Sequence, residues 1–321
     1  MRLAIVGATG EVGRMMLRKL EEEKISPKVI DLLASKRSEG KHFKFESRDL
    51  EVKELREASF DKGYDYVLFS AGASVSKQYA PIAAERGAVV IDNSSAFRSD
   101  AEIPLVVPEI NGDLLKGYCG IVANPNCSTI QMVLSLSGIH KSYGIKTIVV
   151  STYQAVSGAG NKGIAELEEQ ERGDIRPSVF VRQIHRNVVP VIGDLLHSNF
   201  STEEMKMVHE TRKIFRDDSI SVWPTTVRVP VAYGHSESVF CETVRPFSLE
   251  DLIREIESSE DVVYSEERLT PIEVAGSDLV FVSRLRGFDD NRFLFWNIAD
   301  NIRVGAATNA IRIVKTHLGG P

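Results

Sequence analysis

The stretch Leu3–Glu23, LAIVGATGEVGRMMLRKLEEE, decides how the chain begins. Leu3–Val6 is a short apolar run stopped at once by glycine, which reads as a buried strand. After Gly13, apolar Met16, Leu17 and Leu20 recur at helical spacing among charges, the pattern of an amphipathic helix. Between strand and helix, Gly7, Gly10 and Gly13 form GxxGxxG, a variant of the dinucleotide fingerprint. Gly7 permits the tight turn, Gly10 lets backbone N–H groups approach a pyrophosphate, and Gly13 lets the helix pack closely on the strand. The positive end of the helix then faces the phosphates. The alternative is a glycine-rich β–α turn with no ligand.

A second strand, KVIDLLA, ends at Ser35-Lys36-Arg37-Ser38. An NAD-preferring site carries an acid at this point for the ribose 2′-OH. Two cations and two hydroxyls suit a 2′-phosphate instead, which points to NADP; the competing reading is a solvated basic loop. Asp31, inside the strand, comes too early to fill the acidic role. Further strands are expected in YVLFSAG, AVVIDNSS and CGIVA, with helices around Val75–Glu85 and after Cys127. Strands alternating with helices predict a parallel α/β sheet. Ser70 and Gly72 follow a strand end, where ligands of such sheets bind.

The chain has 321 residues, the length of two domains. Hydrophobic residues are 43% and charged residues 26%, ordinary for a globular protein. A net charge of −6 leaves no footprint for nucleic acid, so an anionic ligand must be attracted by local basic residues. The first apolar run breaks at glycines, unlike a signal peptide, and no run reaches the ~18 apolar residues that span a membrane. Three cysteines, odd in number and widely spaced, form neither a disulfide framework nor a CxxC metal pair. A reducing cytoplasm and no metal are expected.

NPNCSTI, Asn124–Ile130, places Cys127 at the seam between a strand and a helix. Unpaired N–H groups and the dipole of a first helical turn favour an anion, which a thiolate is. The same groups can stabilise an oxyanion. Two readings stand side by side: a nucleophile, or a small buried thiol at a helix start. Cys119 and Cys241 lie in apolar runs and are expected in the core. Of seven histidines, His235 stands out in RVPVAYGHSE, with Gly234 before it and Arg228 seven residues earlier. It is either a base for Cys127 or an incidental residue in a β-hairpin connection. Gln154 ends another strand and precedes the glycine-rich Ser157-Gly158-Ala159-Gly160, where backbone can approach a nicotinamide.

Taken together, GATGEVG, ASKRS, NSSAFR, NPNCSTIQ, TYQAVSGAG, EEMKM, RVPVAYGHSE and NIRVGAATNA resemble the aspartate-semialdehyde dehydrogenase family, from residue 1 to about residue 315. The resemblance implies reversible reductive dephosphorylation of L-4-aspartyl phosphate by NADPH. The products are L-aspartate 4-semialdehyde, NADP⁺ and phosphate, at the branch point toward lysine, threonine and methionine. It implies Cys127 as acyl-thioester nucleophile, His235 as general acid/base and Gln154 as the residue that orients substrate. Arg228 would clamp the α-carboxylate, Glu203 would meet the amino group, and Arg98 and Lys206 would serve the phosphate, with Asn126 either contacting it or only shaping the turn. Cofactor contacts would come from Thr9, Gly10, Glu11, Val12, Arg37, Ser38, Ser157, Gly158 and Asn301. Glu203 and Lys206 also read as an i,i+3 surface pair behind a Ser201/Glu204 capping box, and Arg98 as a loop cap.

The expected fold is α/β: an N-terminal Rossmann-type, mostly parallel sheet with helices on both faces, plus a C-terminal α+β catalytic and dimerisation domain. Residues 1–127 and 302–321 would bind NADP. Residues 128–301 would hold strands at Thr147–Tyr153, Val222–Val231, Val239–Val244 and Leu279–Arg286, an antiparallel-rich sheet whose face forms a homodimer, or part of a tetramer. N-acetyl-glutamyl-phosphate reductases carry NPGCY where this chain has NPNCS, which sets them apart; malonyl-CoA reductases share the seam cysteine.

Overall fold

The structure is a computed structural model and describes residues 1–319. The last two positions of the 302–321 segment lie outside the described residues. The chain forms two compact units, Met1–Pro125 with Ala306–Pro321, and Asn126–Gly305.

In the first unit, β1 (Arg2–Val6), β2 (Val29–Ala34), β5 (Tyr66–Phe69), β6 (Val89–Asp92) and β7 (Ile121–Ala123) join the hairpin β3 (His42–Phe45) and β4 (Arg48–Glu54) in one sheet. The order is β3-β4-β2-β1-β5-β6-β7, parallel throughout except for β3 against β4. Apart from the edge strand β3, this is the doubly wound dinucleotide-binding order. Both faces are covered, so β1 is apolar at every inner position: Leu3 and Ile5 enter one core, Ala4 and Val6 the other. Helix α1 (Glu11–Glu22) and the C-terminal helix Asn309–His317 pack on the first core, α2 (Ala73–Glu85) on the second. The short α3 (Pro108–Asn111) precedes β7. His317 pins the C-terminal helix: its Nε2 donates to the Tyr118 carbonyl (2.8 Å), and Nδ1 accepts from the Tyr66 hydroxyl (2.6 Å). Cys119, expected in the core, is exposed, because β7 begins only at Ile121 and the residues before it form a turn.

The second unit contains α4 (Cys127–Tyr143), β8 (Ile145–Gln154), α5 (Asn161–Glu171), α6 (Thr202–Phe215), β9 (Ser221–Arg228), β10 (His235–Thr243), α7 (Leu249–Ile256), β11 (Val262–Ser265), α8 (Pro271–Val274), β12 (Val280–Gly287) and β13 (Arg292–Ala299). Its sheet runs β11-β12-β13-β10-β8-β9, with parallel pairs at both edges and antiparallel pairs between. The β-hairpin reading of the segment between Arg228 and His235 is corrected here. Strands β9 and β10 flank β8 on opposite sides, so the connection crosses the end of β8. The segment after Asn301 enters its helix through a π-helical turn, Arg303–Thr308.

Candidate active site

Sheet topology brings three distant residues to one place. Strand β9 runs parallel to β8 with Gln154 opposite Arg228, both at C-terminal ends. Strand β10 runs the other way, with Ser236 opposite Tyr153, so His235 begins its strand where β8 ends. Gln154, Arg228 and His235 are all buried there.

The peptide groups of Ala155, the next residue, hold two of the three. Its N–H donates to His235 Nδ1 (3.0 Å), and its carbonyl accepts from the Arg228 guanidinium (2.6 Å). A backbone N–H can only donate, so Nδ1 carries the lone pair and the neutral ring keeps its proton on Nε2. Nε2 is buried and has no partner within the described residues. Burial, and then the charge of Arg228, push the His235 pKa well below the usual histidine range. Gly158 makes room for both groups: a Cβ there would lie 2.7 Å from the guanidinium and 3.3 Å from the imidazole.

Cys127 opens α4 and is half-buried. Asn126 caps the helix, its Oδ1 accepting from the N–H groups of Ser128 (3.0 Å) and Thr129 (3.3 Å). Its Nδ2 donates to Glu203 (2.7 Å) and its backbone N–H to Glu210 (2.6 Å), which ties the start of α4 to α6. Glu203 also accepts from Lys206 (2.8 Å) and from the Gln154 amide (3.5 Å). The neighbouring Glu204 closes the capping box with Ser201, so the cap and the Glu203–Lys206 pair coexist. Burial lowers the Arg228 pKa, while Cys127, when ionised, and Glu203 hold it up, so the two side chains are close enough to the guanidinium to interact electrostatically. Gly305 backs the cysteine so closely that a Cβ on it would lie 2.6 Å from Cys127 Cβ. Asn301 braces the neighbouring loops, exchanging a hydrogen bond with the Ser157 hydroxyl (3.0 Å) and accepting from Gly234 N–H (3.0 Å). A thiolate at a helix start, an imidazole N–H and a guanidinium can together attack a carbonyl, stabilise the oxyanion and hold a carboxylate.

The remaining residues lie in the first unit. Gly7 adopts φ +84°, and a Cβ on it would sit 2.8 Å from the Ser70 carbonyl carbon; one on Gly13 would sit 2.3 Å from the Gly7 oxygen. Ser70 lies against β1, its hydroxyl donating to the Val6 carbonyl (3.2 Å), and Gly72 starts α2 at φ +89°. Gly10 stands at the N-cap of α1 and offers no side chain to cap the helix start. Ser35 leads into the turn Lys36–Ser38, and Ser38 meets Thr9 across 3.3 Å. A glycine cradle, a helix start with glycine at its N-cap and an exposed Arg37 fit a dinucleotide with a 2′-phosphate. Asp31 is committed elsewhere: burial alone would raise its pKa, but Lys53, Lys62 and Tyr64 bring it down to about 2. Arg98 donates to the backbone carbonyls of Asn124 (2.8 Å) and Asn93 (2.9 Å).

Two family models match the chain: "Semialdehyde dehydrogenase, NAD binding domain" over residues 2–118 and "Semialdehyde dehydrogenase, dimerisation domain" over residues 136–304. The chain is 47% identical to the aspartate-semialdehyde dehydrogenase of Aquifex aeolicus, over 98% of this chain and 97% of that one. The chain belongs to the aspartate-semialdehyde dehydrogenase family. The Bacillus subtilis member is 42% identical over 98% of this chain and 97% of its own. The structure matches crystalline aspartate semialdehyde dehydrogenase II of Vibrio cholerae complexed with ASA, with a TM-score of 0.95 and 43% identity. That match covers 99% of this chain and 98% of the other. The family's members are oxidoreductases with an NAD(P)-binding domain, and they interconvert L-4-aspartyl phosphate and L-aspartate 4-semialdehyde.

Several residues of this arrangement escape sequence reasoning. Ala155 acts through its backbone and leaves no side-chain signal. Gly305 lies in a run of small residues that reads simply as a helix start. Glu210 did leave a signal: it follows Glu203 by seven residues, two turns along the same face of α6.

Proposed function

We propose that this chain is an NADP-dependent aspartate-semialdehyde dehydrogenase acting through an acyl-thioester on Cys127. The observation that carries the reading is the meeting of Gln154, Arg228 and His235 at one end of a sheet, with the guanidinium in the field of Cys127.

Arg228 clamps the α-carboxylate of aspartyl phosphate, Glu203 receives the amino group, and Gln154 orients the carbonyl. Lys206 and Arg98 bind the phosphate. Asn126, whose amide serves the α4 cap and Glu203, shapes the turn that presents the thiolate. Cys127 attacks the acyl carbon, the C–O bond to phosphate breaks with its electron pair leaving on oxygen, and a thioester forms. NADPH, when bound, supplies the hydride that reduces the thioester carbon. The C–S bond then breaks, the thiolate returns to Cys127, and the aldehyde is released. His235 acts at Nε2, donating its N–H to the substrate oxygen while the tetrahedral states carry charge.

The cofactor contacts assigned to this reading are Gly7, Thr9, Gly10, Glu11, Val12, Gly13, Ser35, Arg37, Ser38, Ser70, Gly72, Ser157, Gly158 and Asn301. Residues 1–127 and 302–321 carry the cofactor, and residues 128–301 the chemistry and a homodimer contact. The outer face of the second sheet supports that contact, since Val149 and Trp223 pair across it and both are exposed. No described helix is long and apolar enough to cross a membrane, and we place the enzyme in the cytoplasm.

The test is a reverse-direction assay with aspartate semialdehyde, phosphate and NADP⁺. Cys127→Ala loses at least about a thousandfold in rate, and equal rates would refute the mechanism. In the same assay Arg37→Ala weakens NADP⁺ far more than NAD⁺; an equal loss for both would remove the 2′-phosphate assignment.

A further inference from the structure

We propose that Glu166 and Gln170 are positioning residues for Arg228, acting through the segment Ser178–Val189. The proposal rests on Arg228 being the substrate-carboxylate clamp.

Most of residues 172–183 is exposed, Val181 to 62%, but Ile184 and Val189 are buried with Val156 and Leu167, and Phe180 packs against them. Two buried polar side chains of α5 hold the segment as well, and they set its backbone. Glu166 Oε2 accepts from the Ser178 N–H (3.1 Å) and hydroxyl (2.9 Å), from the Val179 N–H and from the Phe180 N–H (3.3 Å). Its other oxygen accepts from the Gln170 amide (2.9 Å), whose own oxygen accepts from the N–H groups of Ile184 (2.8 Å) and His185 (2.9 Å). The segment so fixed does two things to Arg228. The ring of Phe180 lies 5.7 Å from the guanidinium carbon, within the range of a cation–π contact. Val189 exchanges two backbone hydrogen bonds with Arg228 (2.8 and 2.9 Å). With the Ala155 carbonyl on another side, the guanidinium is confined before substrate arrives, and the entropic cost of ordering it is met during folding. A buried carboxylate that gathers four donors from Ser178, Val179 and Phe180 costs desolvation that apolar packing alone would not incur. The result is an aromatic ring set against the clamp.

The test measures kcat and KM with aspartate semialdehyde, phosphate and NADP⁺. Both Glu166 oxygens only accept, so Glu166→Gln turns an amide N–H toward a donor whichever way it lies. Glu166→Gln and Phe180→Leu raise KM for aspartate semialdehyde about tenfold, leave kcat within about threefold, and leave KM for NADP⁺ unchanged. Phe180→Tyr, which keeps the ring face, restores the wild-type KM. If Glu166→Gln fails to fold, the Phe180 pair carries the test alone. A semialdehyde KM unchanged in Phe180→Leu, or a uniform rise in every KM, overturns the positioning role. Arg228→Ala separates this from the parent reading. If Arg228→Ala leaves that KM unchanged, the clamp assignment fails. If it raises KM while Phe180→Leu does not, only the positioning fails.

Discussion

His235 shows most clearly how one residue is set for its task by backbone geometry. The Ala155 N–H fixes the proton on Nε2, and full burial beside Arg228 keeps the ring neutral. The same facts tie stability to pH. The folded pKa lies below that of the unfolded chain, so between the two values the unfolded state binds the extra proton. Stability is fully present above the unfolded pKa of about 6.5 and falls as pH drops, by up to about 1.4 kcal/mol per pH unit. His235→Asn keeps an acceptor for Ala155 and has nothing to titrate. Urea unfolding at fixed protein concentration should show a shallower loss for this variant between pH 6.5 and 5. Equal slopes would mean that the imidazole is not held neutral. His235, Gln154 and Cys127 are visible in the sequence because each stands at one end of a strand-like or helix-like run, and Arg228 because it lies seven residues before His235. Phe180 and Ala155 are not, since one acts by packing and the other by its peptide groups.

At the level of elements, α4 and β10 are joined by a buried polar contact. Gln131, one turn beyond Cys127, donates its side-chain amide to the His235 carbonyl (3.3 Å), and Glu237 lies two residues farther along β10. Glu237 is fully buried and accepts from Asn297 of β13 (2.8 Å). Burial drives its carboxyl well above the ordinary range, against the pull of the Gln131 and Asn297 amides, which favours the protonated form. Here the sign is the reverse of that for His235. The contribution is complete below the unfolded value of 4.5 and is lost as pH rises toward the folded pKa. Glu237→Gln keeps the shape without the titration, and is expected to match or exceed wild-type stability at pH 8. Destabilisation at pH 8 by more than about 1 kcal/mol would mean the carboxylate is charged and paired. Periodicity made most of the strands legible, and it missed β3, β4, β11 and β13. Strands β3 and β4 alternate charged and apolar residues on a half-exposed edge. Strand β11 is only four residues long. Whether Arg228 and His235 lay on paired strands was not readable either, because strand order depends on β8, far away in sequence.

For the whole molecule, chain length and the glycine fingerprint are enough to indicate a doubly wound sheet followed by a second, mixed sheet. The outer face of the second sheet, where Tyr153 and Trp296 meet at 5.4 Å, is the surface assigned to a second copy. Sedimentation should show a species of twice the 35.6 kDa chain mass, and a monomer alone would refute that assignment. The central claim is that Cys127 carries the acyl group between two half-reactions, and rapid mixing with aspartate semialdehyde and NADP⁺ in the absence of phosphate tests it most directly. The account predicts a burst of about one NADPH per active site, followed by a stall until phosphate is added. It predicts no burst from Cys127→Ala. Steady turnover without a burst, or the same burst from the variant, would contradict it.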